Sequence, residues 1–191
     1  MSVEDRPEHA EDVIELLLGQ HMLIRELFAE VQTESGERRA EAFARLVHLL
    51  AVHETAEEEV VHPLARRGID GGEQVVEDRL HEEREAKEAL VRLEGMDLGS
   101  EEFAAAFALL RSAVLAHAHY EEVYEFRYLR GHYDPDRLRT LAKQVRMAEK
   151  TAPTHPHPGT ETAMKNLTVG PVLAVFDRVK DAMRGDKPQD E

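Results

Sequence analysis

Residues 103–128 read FAAAFALLRSAVLAHAHYEEVYEFRY. Steps of three and four residues through this stretch pick out Phe103, Phe107, Leu110, Val114, His117, Glu121, Tyr124 and Tyr128. That spacing draws a stripe along one face of an α-helix, the pattern of a helix packed on one side into a core. The stripe is apolar until its second half, where an imidazole and a carboxylate four residues apart occupy the same face. A helix that buries a titratable pair among phenylalanines and leucines needs a reason to do so.

The rest of the chain repeats the pattern. A helix expected over residues 10–32 aligns Ile14, Leu17, His21, Ile24, Phe28 and Val31, and one over 37–67 aligns Phe43, Leu46, Leu50, His53, Glu57, Val60 and Leu64. Histidine interrupts all three seams, and in two of them the interruption is His-x-x-x-Glu. The helix expected over residues 73–94 is less regular. Its apolar stripe is Val76, Leu80, Leu90 and Val91, with His81 beside it, Glu85 further round the same side and Glu83 close by. His81 and Glu85 repeat the His-x-x-x-Glu spacing and are the pair selected here.

Glycines punctuate the chain at Gly36, in the GIDGGE stretch, at Gly95 and at Gly131, giving short connections and hence antiparallel neighbours. The expected fold is all-α, an up-down-up-down four-helix bundle over residues 10–131. An extension over 132–185 carries two shorter helices. The first opens at Asp134-Pro135, a capping carboxylate followed by proline at the first helical position. A proline-rich strap, TAPTHPHPGT, separates it from the second, VLAVFDRVKDAM, and residues 186–191 read as a disordered tail.

Composition narrows the function. The formal charge of -15 opposes binding to nucleic acid or to anionic membrane surfaces. No apolar run is long enough to span a bilayer, and the N-terminus lacks the pattern of a signal peptide, so a cytoplasmic protein, monomer or homodimer, is expected. With no cysteine, thiolate metal sites and disulfides are excluded, and any metal must be held by nitrogen and oxygen. Buried imidazoles and carboxylates with no Arg or Lys on the three clear seams call for cations from outside. Mixed imidazole and carboxylate donors suit iron, manganese or zinc better than calcium or magnesium, and six or seven donors are more than a single zinc takes. Tyr124, seven residues beyond His117, is placed at the edge of such a pocket. His119 faces elsewhere, His155 and His157 belong to the strap, and His9, His48, His62 and His132 fit no ligand spacing.

Over residues 10–130 the chain resembles the hemerythrin-like, or HHE cation-binding, domains. The resemblance rests on His21, on HETAEEEVVHP at residues 53–63, on LHEEREAKEALVRLE at 80–94 and on LAHAHYEE at 115–122. It implies two iron ions with a bridging oxo or hydroxo ligand, held by His21, His53, Glu57, His117 and Glu121 with His81 in the third helix's place, and Glu85 joins this expected set by its spacing from His81. That set is richer in carboxylate than the set used by the family's oxygen carriers, which favours ferric iron and argues against simple oxygen transport. The expected function is reaction with hydrogen peroxide or related oxidants, a catalase-like role in oxidative stress. Binding or sensing of oxygen, nitric oxide or iron without turnover is the alternative.

Overall fold

The structure is a computed structural model and describes residues 11–156. Four long helical runs build the bundle. The first is α1 (Val13–Thr33), the second is α2 (Gly36–Val60) continuing into α3 (His62–Gly68), and the third is α4 (Gly72–Glu94). The fourth is α5 (Glu101–Glu121), which passes through a π-helical turn (Glu122–Phe126) into α6 (Arg127–His132). A further helix, α7 (Pro135–Thr151), follows. No strand occurs among the described residues, so the chain is an all-α bundle as expected.

Local chemistry fixes the ends. The Asp12 carboxylate accepts from the backbone N–H of Ile14 and of Glu15, while Glu15 accepts from the Asp12 N–H, a reciprocal capping box. The Ser100 hydroxyl accepts from the Phe103 N–H, and Asp134 caps α7 through the Arg137 N–H ahead of Pro135. The turn into α4 needs its glycines. Gly71 sits at φ +72°, and a Cβ on Gly72 would lie 2.4 Å from the Ala65 carbonyl oxygen, so α3 and α4 approach too closely for any side chain there.

Two apolar clusters divide the interior. One gathers Phe28, Phe43, Leu90, Phe103 and Phe107. The other joins Ile14, Leu17, Ala56, Val61, Phe126 and Leu129 to Leu138, Leu141 and Val145 of α7, so this helix of the extension packs on the bundle against α1 and α2. Between them lies a polar layer. His21 falls between Leu17 and Ile24, His53 between Leu50 and Ala56, and His117 with Glu121 between Val114 and Phe126.

Two details differ from the sequence expectation. Val91 is exposed, because the buried face of α4 runs Val76, Arg79, Leu80, Glu83, Ala86, Lys87, Leu90, Leu93. Polar residues occupy core positions of that helix, so its apolar residues alone misplace the seam. Tyr124 is also exposed, displaced by the π turn. The second helix of the extension, His157 and the 186–191 tail lie outside the described residues.

Candidate metal centre

Eight side chains meet in the polar layer: His21 from α1, His53 and Glu57 from α2, His62 from α3, Glu83 from α4, His117 and Glu121 from α5, and Glu125 from the π turn. All are buried. Donor atoms of His21, His53, Glu57 and Glu121 lie within 4.8 Å of one another, and those of His62, Glu83 and Glu121 form a second group within the same distance. Glu121 belongs to both, the placement a bridging carboxylate requires.

The distances define the interior. His53 Nε2 is 3.2 Å from Glu57 Oε2, His117 Nε2 is 3.1 Å from Glu121 Oε1, and His21 Nε2 is 3.4 Å from Glu121 Oε2. None of these three contacts is aligned as a hydrogen bond. His21 Nε2, His117 Nε2, both oxygens of Glu57 and of Glu121, Glu83 Oε2 and Glu125 Oε1 have no hydrogen-bond partner. So many unmatched donors and acceptors at one point would be very costly in a closed core. The outward nitrogens, by contrast, are satisfied. His21 Nδ1 donates to Glu122 Oε1 at 2.9 Å, His53 Nδ1 to Gln20 Oε1 at 2.7 Å, and His117 Nδ1 to Glu82 Oε2 at 2.9 Å. Each bond fixes the ring so that its Nε2 points inward, the orientation in which a deprotonated histidine nitrogen binds a metal. The donor set therefore fits a bound metal.

His62 differs. Its Nε2 contacts Glu83 Oε1 at 2.7 Å and its Nδ1 contacts Glu125 Oε2 at 3.1 Å. Burial opposes a charge on this ring, but Glu125 and Glu83 outweigh it and raise its pKa well above the usual histidine value. His117 is likewise raised against burial by Glu121. Burial and the neighbouring His21 lower His53 to about 3, leaving it neutral, and burial with Glu121 pushes Glu57 well above the carboxylate range. Protons thus supply part of the positive charge that these carboxylates need. Lys87 supplies more, with Nζ 2.5 Å from Glu58 Oε1 and 3.8 Å from Glu83 Oε2.

Of the residues expected from sequence, His21, His53, Glu57, His117 and Glu121 are brought together. His81 and Glu85 are not: they are 66% and 69% exposed and pair with each other on the outer face of α4, while Glu83 faces the cluster. Tyr124 is 51% exposed and stacks on Tyr120. His155 lies beside Glu94, near the end of α4. Sequence reasoning passed over His62 and Glu125 and weighed Glu83 without choosing it. For His62 a signal existed in the adjoining Pro63. Proline has no N–H to give Glu59, the helical run is interrupted at Val61, and both Val61 and His62 are buried. For Glu125 the signal is its place four residues after Glu121, which a seam drawn with a step of three to Tyr124 passes over.

A helical bundle that converges histidines and glutamates on one buried, cation-seeking point is a metal-binding bundle by fold and site together. The hemerythrin HHE cation-binding domain family matches residues 12–129, more than half of the sequence, and the chain belongs to that family. An uncharacterized hemerythrin-like protein of Schizosaccharomyces pombe is 29% identical over 137 residues, covering 70% of this chain and 67% of that protein. No solved structure matches the chain. No helix among the described residues is long and apolar enough to cross a membrane.

Proposed function

We propose that the cluster holds two iron ions and that the protein consumes hydrogen peroxide or a related oxidant. The observation that carries the reading is the inward-facing set of unpartnered atoms, on His21, Glu57, Glu83, His117, Glu121 and Glu125, behind rings whose outer nitrogens are already bonded. His21, His53 and Glu57 would hold one ion, His62 and Glu83 the other, with Glu121 shared. His117 meets the shared Glu121, and Glu125 meets His62. Two iron ions there would supply a redox couple and an open coordination position.

The chain's own residues do the rest. Glu122, Gln20 and Glu82 hold three imidazoles in orientation. The two apolar clusters exclude water from either side. Four carboxylates, Glu57, Glu83, Glu121 and Glu125, would favour the ferric over the ferrous state of iron held there, which would oppose lasting reversible oxygen binding. Disproportionation of two peroxide molecules to two waters and one dioxygen needs no outside reductant, so it is self-contained.

Oxygen evolution from peroxide is the test, comparing iron-loaded protein with the Glu121→Ala variant and with free iron. The reading expects evolution by the wild type well above both controls. Evolution no greater than the controls, with a stable and reversible oxygen spectrum from reduced protein, would replace it with a binding role.

A further inference from the structure

A cavity of about 360 Å³ opens between α3 and α4, and His62 forms part of its wall together with Glu58. Its sides are Pro63, Val76 and Leu80, and its rim carries Arg66 and Glu77, which pair across the two helices at 3.0 Å. We infer that this cavity is the route by which a small uncharged molecule reaches the metal centre, entering beside the Arg66–Glu77 pair and passing Val76 and Leu80 to His62. The inference rests on the two-ion reading above.

Three observations converge. The cavity touches a member of the cluster, and that member is 2% exposed, so what reaches it comes through the wall rather than over the surface. The side walls are apolar, and a hydrated ion would shed water against them at high cost, whereas a molecule the size of peroxide or nitric oxide would not. Rigid packing does not close the space. Ala65, Val76 and Leu80 form a small satellite cluster with Ile69, separate from the two main clusters, and a bulkier side chain there would fill the cavity without entering them.

The test uses full-length protein and nitric oxide as the probe. Leu80→Trp narrows the route and Leu80→Ala widens it. In iron-loaded, reduced protein, Leu80→Trp should slow nitric oxide association roughly tenfold and dissociation by the same factor, leaving Kd unchanged, because an access residue alters both rates equally. Leu80→Ala should speed both, and iron content should match the wild type in each. In metal-free protein, xenon observed by NMR should occupy the cavity of the wild type and be excluded by Leu80→Trp. Unchanged association rates in both iron-loaded variants would overturn the inference, as would a change in Kd without a matching change in rates. Wild-type protein that takes up no iron would overturn the two-ion reading instead, and the xenon result would still decide whether the cavity is open.

Discussion

His62 sits between two buried carboxylates, its two nitrogens held by Glu83 at 2.7 Å and Glu125 at 3.1 Å. A protonated ring there neutralises carboxylates that a metal ion would otherwise neutralise, so metal and proton compete for one place. The first prediction follows from that geometry: His62→Ala and Glu83→Ala should each cost about one iron per chain, a loss of the kind expected when a ligand is removed. His81→Ala and Glu85→Ala, on the exposed face of α4, should leave the iron content unchanged. Elemental analysis of the four variants decides it, and an iron loss in His81→Ala with none in His62→Ala would reverse the assignment. The second prediction concerns pH. The pKa values of His62 and His117 are raised in the metal-free protein, so both rings hold protons near neutrality that must leave when metal binds. Apparent affinity should therefore rise with pH, and binding should release protons between about pH 6 and 8. Calorimetry in buffers of different ionisation enthalpy measures the release, and heats independent of buffer would contradict it.

At the scale of elements, two local distortions complete the centre, and they mark the limit of what the sequence discloses. His21, His53, Glu57, His117 and Glu121 were legible because each lies on an undistorted helix whose three-and-four spacing keeps count. Pro63 interrupts the second helical run beside His62, and a π turn follows Glu121 in the fourth. After Glu121 the buried positions are Glu125, Phe126 and Leu129 instead of Tyr124 and Tyr128. A π turn inserts one residue into an α-helix, so every later side chain advances by one position. The third run misled for another reason: Arg79, Glu83 and Lys87 are buried there, and hydrophobicity alone cannot find a seam made partly of charge. The third prediction tests the insertion. Deleting exposed Tyr124 should restore α-helical spacing, keep Leu129 in the core and change Tm by only a few degrees, equivalent to about 1 kcal/mol. It should also move Glu125 relative to His62 and weaken metal retention against a chelator. A severe loss of stability would show that the π turn is needed by the fold and not only by the site.

At the scale of the whole molecule, a charged layer lies between two apolar clusters, and α7 closes one of them from outside the region that matches the family. The layer is the weak plane of the bundle, because unpartnered carboxylates and imidazoles face each other across it. Metal should act there as a staple. A ligand at a thousand times its Kd stabilises the folded state by about 4 kcal/mol, which for a chain of this size corresponds to roughly 10 °C in Tm. Chelation should lower Tm by that order with little loss of helicity, since the two clusters do not depend on the layer; equal Tm values for loaded and stripped protein would contradict this fourth prediction. The central claim is that these eight residues form one two-ion iron centre bridged by Glu121. The most direct measurement is iron per chain in protein purified without a tag, for the wild type and for Glu121→Ala, with the near-ultraviolet spectrum of each. The account predicts two irons per wild-type chain, a near-ultraviolet band from coupled ferric ions, and the loss of both in Glu121→Ala. Iron absent from the wild type, or present equally in the two proteins, would contradict it.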